Sequence, residues 1–237
     1  MSGRHVIVAG GSRGIGAACA DWFRAAGERV TVLSRSGGVD LADPRAAAAA
    51  IARAEAEQGP VEVLVCTAGA ARQAPLAELS AHALRAGMEA KYFTYVNAIM
   101  PALQSMARQG AGVVVNVIGA GGQVASVTHL PGGAANAALM LLTTGLGHAY
   151  GSRGVRVVGV NPGAVATERF EQMVQARATQ AGTDPAQVRV ELAKAFPSGQ
   201  VPTPQEIAAV VAFLASDAAS AVNGTILRVD GASNPVV

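Results

Sequence analysis

The stretch Gly10-Gly11-Ser12-Arg13-Gly14-Ile15-Gly16 carries the residue types that bind a pyrophosphate. It follows the strand-like run His5-Val6-Ile7-Val8-Ala9 and opens into a helical pattern. Its backbone N–H groups would therefore point at an anion from a helix N-terminus. Glycines make the turn and leave no side chain between backbone and phosphate. A glycine-rich turn alone is a weak signal; a strand before it and a helix after it make it a nucleotide motif.

The elements that must hold this loop are legible in the hydrophobic pattern. Apolar strand-like runs fall at 6–9, 30–34, 61–66, 113–118, 156–161 and 225–229, with helical patterns near 15–26, 44–58, 80–108, 134–151 and 204–215. Alternation of continuously apolar strands with helices predicts an α/β Rossmann fold, a doubly wound parallel sheet with helices on both faces. With 237 residues, 51% of them hydrophobic, one domain spanning 1–237 is expected. Segment 166–203 is the least regular, with Gly182, Asp184-Pro185 and Pro197 to Pro204. It is expected to form helices bounded by turns, a substrate lid over the strand ends.

Composition also narrows the partners. No apolar run approaches the roughly 20 residues of a membrane span, and no signal peptide is expected ahead of the first strand, so the reading is cytoplasmic. A net charge of +2 without a basic run gives no case for nucleic acid. Cys19 and Cys66 lie in apolar surroundings without metal-ligand spacing and read as small core residues; no metal is expected.

Beyond the glycine loop, the chain shows Asp40-Leu41, Cys66-Thr67-Ala68-Gly69, Asn161-Pro162-Gly163 with Thr167, and Val229-Asp230-Gly231. In this order, over nearly the whole length, these motifs resemble the short-chain dehydrogenase/reductase family. The resemblance implies that Gly10, Ser12, Arg13, Gly14, Ile15 and Gly16 hold the pyrophosphate and that Asp40 and Leu41 contact adenine. It further implies that Ala68, Gly69, Pro162, Gly163 and Thr167 line the rest of the cofactor. NAD-dependent members place an acid at the end of the second strand; this chain has Ser34-Arg35-Ser36 there. Arg13 and Arg35 would favour a 2′-phosphate by charge-assisted hydrogen bonds, so the cofactor expected is NADP(H).

The same resemblance leads one to look for a Tyr and a Lys four residues later, a Ser upstream and an Asn on the long helix. The ungapped run Asn136-Ala137-Ala138-Leu139 to Val157 sets the frame: Asn136 stands at the Lys, Gly132 at the Tyr, Gly119 at the Ser and Lys91 at the Asn. The thirteen-residue separation of Gly119 and Gly132 matches the family spacing. Lys91 and Asn136 read as an exchange of cation and amide, with Asn136 still able to bond the nicotinamide ribose. Alternatively, Lys91 points to solvent or pairs with Glu89 or Glu171. His129, in the loop 126–131, is placed by the resemblance beside the nicotinamide, where it could donate a proton or anchor a carboxylate. Glycines at 119 and 132 are expected to open a ring-sized volume in the substrate pocket.

Two functions follow. One is an atypical NADP(H)-dependent oxidoreductase interconverting a carbonyl and an alcohol on a small to medium-sized molecule, with His129, Lys91 and Asn136 as the catalytic set. The other is a non-redox nucleotide-binding protein on the same scaffold, an isomerase or cyclase, or an inactive regulatory subunit. By resemblance, a homodimer or homotetramer is expected.

Overall fold

The computed structural model describes residues 3–69, 71–72 and 75–235. Six parallel strands form one sheet in the order β2-β1-β3-β4-β5-β6, with β1 at His5–Ala9, β2 at Arg29–Leu33, β3 at Val63–Cys66, β4 at Gly112–Val117, β5 at Val155–Pro162 and β6 at Ile226–Val229. The chain steps outward from β1 to β2 and then crosses back to β3 on the other side of β1. This reversal opens a crevice above the carboxyl ends of β1 and β3, where ligands of such sheets sit.

Alternation along each strand feeds two cores. Ile7, Ala9, Leu64 and Val114 pack with α2 (Pro44–Gln58), α4 (Thr94–Gln109) and α5 (Leu130–Gly151). Val6, Val8, Val65 and Val115 pack with α1 (Gly14–Ala25) and α8 (Pro204–Leu214). Cys19 and Cys66 are buried free thiols within these cores. The parallel sheet agrees with the pattern of apolar runs. β3 begins two residues later than expected: Val61 N–H turns to Glu55 Oε1 of α2, and the chain joins the sheet at Glu62, whose N–H donates to His5 O of β1 and whose carbonyl accepts from Val113 N–H of β4.

Two departures bear on the site. The single long helix expected over 80–108 is α3 (Ala81–Gly87), a π-helical turn at Met88–Phe93, and then α4. The turn contains Lys91, and such insertions re-aim side chains at functional positions. Helix α5 starts at Leu130, four residues earlier than expected. Pro131 occupies its first turn, where a missing N–H costs nothing, and His129 becomes its N-cap residue. Segment 166–203 holds α6 (Glu168–Ala181) and α7 (Pro185–Ala193), with Phe170, Val174 and Phe196 buried. Among the described residues, no helix is long and apolar enough to cross a membrane.

Candidate active site

The glycine loop is shaped by backbone contacts that a larger residue would break. Gly10 has φ +95°, and a Cβ there would press into the Ala68 backbone, 2.6 Å from its Cα. A Cβ on Gly16 would strike Gly10 O and Thr67 Oγ1. Gly14, at φ +55°, is the position closest to the next element: its Cβ would lie 3.5 Å from Thr167 Cγ2. The loop is thus pressed between the end of β3 and the start of α6. Helix α1 has no side-chain N-cap bond and no acid in its first turn, so its terminal N–H groups and positive dipole end remain available.

Ser12, Arg13 and Arg35 are exposed around this loop, and neither arginine enters an ion pair among the described residues. Asp40 Oδ1 accepts from Ala42 N–H at 3.0 Å, while the Leu41 side chain is buried in the core and its carbonyl accepts from Asn97. Leu41 therefore has only its backbone to offer adenine. Gly69, at φ +81°, lets the turn after β3 run against the π-helical turn, where a Cβ would meet Ala90 O and lie 3.2 Å from Lys91 Cα. Pro162 ends β5, and Gly163 packs against Asp230, with 3.1 Å between its Cβ position and Asp230 Cβ. A cradle of glycines, an uncapped helix end and two unpaired cations fit a bound NAD(P) dinucleotide.

The other end of the crevice is built from side chains. Lys91 is only 8% exposed, so it neither reaches solvent nor pairs with Glu89; Glu171 is taken by Arg189 at 2.6 Å. Its Nζ donates to Tyr95 Oη at 2.9 Å and to Val117 O at 3.4 Å, and lies 4.4 Å from the Tyr95 ring centre. Tyr95 Oη in turn donates to Val117 O at 2.5 Å. Burial without a carboxylate partner disfavours the ammonium and lowers the Lys91 pKa to about 7, and the Arg169 charge adds to the effect. The Cys66 thiol, pushed up to about 12 by burial, is protonated and inert.

Asn136 is buried, and its Nδ2 donates to Gly119 O at 3.4 Å, 3.2 Å from the point where a Cβ on Gly119 would stand. Gly119 itself has φ +124°, a backbone few other residues adopt. The open volume expected at Gly132 is filled at its root. A Cβ there would overlap Nε2 and Cε1 of the His129 imidazole and lie 2.8 Å from Cδ2. The ring stands where a side chain at 132 would begin. Its Nδ1 is buried with no hydrogen-bond partner among the described residues, and burial, with the charges of Arg169 and Lys91, lowers its pKa. His129, Gly132, Asn136 and Gly119 thus meet at the start of α5 and the end of β4, whereas His82 and His148 belong to other parts of their helices.

Two contributors were missed from sequence. Tyr95 carries no mark in the sequence that sets it apart from a core aromatic, although its spacing of four from Lys91 puts both on one helix face. Arg169, two residues after Thr167, gave no signal beyond that proximity.

This geometry coincides with close likeness to known oxidoreductases. A family model described as Enoyl-(Acyl carrier protein) reductase matches residues 9–233. Cis-4-hydroxycyclohexanecarboxylate dehydrogenase of Sinomonas cyclohexanicum is 35% identical, covering 96% of this chain and 95% of that protein. Gluconate 5-dehydrogenase of Gluconobacter oxydans is 31% identical, covering 98% and 94%. A crystal structure of actinorhodin polyketide ketoreductase with NADPH superposes with a TM-score of 0.91 at 24% identity, over 99% and 98% of the two chains. The chain belongs to the short-chain dehydrogenase/reductase family of NAD(P)-linked oxidoreductases.

Proposed function

We propose that the protein is an NADP(H)-dependent oxidoreductase that interconverts a carbonyl and an alcohol on a small to medium-sized molecule, with its proton handled by His129 and Lys91. The observation that carries this reading is the His129 imidazole in the space where a residue-132 side chain would begin. A proton carrier is thereby kept at the mouth of α5 although position 132 is glycine. NADPH, when bound, supplies the reducing equivalent.

The residues divide the remaining work. Ser12, Gly14, Ile15 and Gly16 present backbone N–H groups to the pyrophosphate, and Arg13 and Arg35 hold the 2′-phosphate. Asp40, the Leu41 backbone, Ala68, Gly69, Pro162, Gly163 and Thr167 line the dinucleotide, and Asn136 orients the ribose at its nicotinamide end. His129 Nε2 donates a proton to the substrate oxygen during reduction and accepts one during oxidation. Lys91 Nζ, half-protonated at about pH 7, is the reservoir behind it. Tyr95 and the Val117 carbonyl fix that ammonium in place. Gly119 leaves room for the substrate beside the His129 ring that occupies the space over Gly132, and α6 with α7 forms its lid.

The homo-oligomer reading draws support from apolar side chains left on the outer faces of the long helices, Phe93, Met100 and Leu141, the last 77% exposed. Calorimetric titration with NADPH and, separately, NADH tests the cofactor. Micromolar NADPH with NADH at least tenfold weaker is expected; equal affinities would reject the arginine argument. NADPH binding without transfer to any ketone would favour the non-redox alternative.

A further inference from the structure

We infer that Gln123 touches the substrate, its carboxamide N–H donating to the carbonyl oxygen that His129 protonates. This rests on the oxidoreductase reading above and adds to the same pocket the residue that holds the reacting oxygen.

The chain leaves β4 at Gly119 and passes through the short helical turn Ala120–Gly122 to Gln123. Gln123 N–H and Val124 N–H both donate to Ala120 O, at 2.9 and 3.0 Å. A Cβ on Gly122 would meet Met140 Cε at 2.6 Å and Ala137 N at 2.8 Å, so the turn lies directly on α5. Gly121 faces groups already placed in the site: its Cβ position is 3.6 Å from Asn136 Nδ2 and 3.8 Å from His129 Cδ2. Gln123 follows two residues later, a span of at most about 7 Å. Gln123 and His129 therefore flank one short turn.

Hydrogen bonds settle which way the Gln123 amide points. Gly119 N–H can only donate, so the Asn161 atom 3.3 Å from it is Oδ1. Asn161 Nδ2 then donates to Met140 Sδ at 3.6 Å and to Gln123 Oε1 at 3.3 Å. An NH2 group needs an acceptor, so Gln123 turns its oxygen toward Asn161 and its Nε2 away. Asn161 lies in β5 and is fully buried, with its oxygen and both its hydrogens engaged. The sheet stands on one side of the Gln123 amide. The exposed side, over the carboxyl ends of β4 and β5, takes the Nε2 hydrogens, which have no acceptor among the described residues.

Neighbouring donors are already engaged. Lys91 Nζ bonds Tyr95 Oη and Val117 O, Asn136 Nδ2 bonds Gly119 O, and the Gly119 N–H is held by Asn161. A carbonyl oxygen turning into an alkoxide is stabilised by a donor fixed in place before the charge develops. Gln123 supplies that donor on an amide whose orientation a buried residue sets. Being neutral, it adds no charge that would oppose a proton on His129.

The test separates this inference from the reading it rests on. Protein saturated with NADP⁺ is titrated with acetophenone, and the carbonyl stretching band of the bound ketone is read by isotope-edited difference infrared spectroscopy. Gln123→Glu keeps an oxygen for Asn161 and loses the donor; Gln123→Met loses both. In each variant the band is expected at a higher frequency than in the wild type. Single-turnover reduction of acetophenone by bound NADPH should be slower by roughly 10²-fold, at unchanged NADPH affinity. No bound-ketone band in the wild type, a band unmoved in either variant, a rate undiminished by the substitutions, or a loss of NADPH affinity would each overturn it. Turnover in the wild type with a band indifferent to Gln123 rejects the inference and keeps the oxidoreductase. A band that depends on Gln123, without turnover in the wild type, supports the contact and rejects the oxidoreductase.

Discussion

The two ends of the crevice are made of different materials. At the nucleotide end, recognition is built from backbone: glycine dihedrals, a bare helix terminus and contacts so close that a methyl group would break them. At the chemical end, glycines leave room, and side chains from separate elements fill it: His129 over Gly132, Lys91 against Tyr95, and Asn136 under Gly119. A backbone-built site tolerates almost no substitution. A site built from side chains can be rearranged, because a proton carrier needs only to reach the same point in space from another position in the chain.

The largest effect is expected where backbone meets backbone. Gly10→Ala combines a positive φ with collision against Ala68, and should destabilise the fold by roughly 3–5 kcal/mol in denaturant unfolding. A loss below about 1 kcal/mol would mean that the loop is not rigid and would blur the contrast.

Lys91→Met probes the other material. Because burial lowers the folded pKa from 10.5 to about 7, the charged lysine opposes folding. That cost is complete below about pH 7 and disappears as pH rises toward 10.5, where the unfolded chain also loses its proton. The variant should therefore be more stable by roughly 1–4 kcal/mol at neutral pH, with the gain shrinking at high pH. In the wild type, ketone reduction should slow as pH rises through about 7, and this limb should vanish in the variant. Unchanged stability and an unchanged pH profile would remove Lys91 from the account.

Arg35→Ala tests whether charge at the nucleotide end is separable from its backbone. NADPH affinity should fall roughly 10- to 100-fold, the worth of a charge-assisted hydrogen bond, with NADH affinity unaltered. An equal loss for both cofactors would place Arg35 outside phosphate recognition.

The smallest effect sharpens the contrast most. Gly132→Ala must displace only the tip of an imidazole, at a cost of about 1 kcal/mol, and His129→Ala in the same chain should cancel it. Additive costs in a double-mutant cycle would show that the two positions do not share space.

This division also explains what the sequence disclosed. The sheet, the glycine loop and the motif order were legible because period, turn chemistry and backbone geometry are local properties. The positions of Gly119, Gly132, Asn136 and Lys91 were legible from spacing. Their surroundings were not. The early start of α5 depended on Pro131 serving as a first-turn residue, and only that start turns His129 over Gly132. The burial of Lys91 depended on a π-helical turn that no hydrophobic period announces, and on Tyr95, which reads as an ordinary core aromatic.

We propose that His129 carries the proton at this site. That role is tested most directly by single-turnover oxidation of bound NADPH by acetophenone at pH 7, in the wild type and in His129→Ala, with NADPH affinity measured for both. A rate lower by about 10²–10³ at unchanged NADPH affinity is the predicted result. A variant that turns over as fast as the wild type at that same affinity would contradict it.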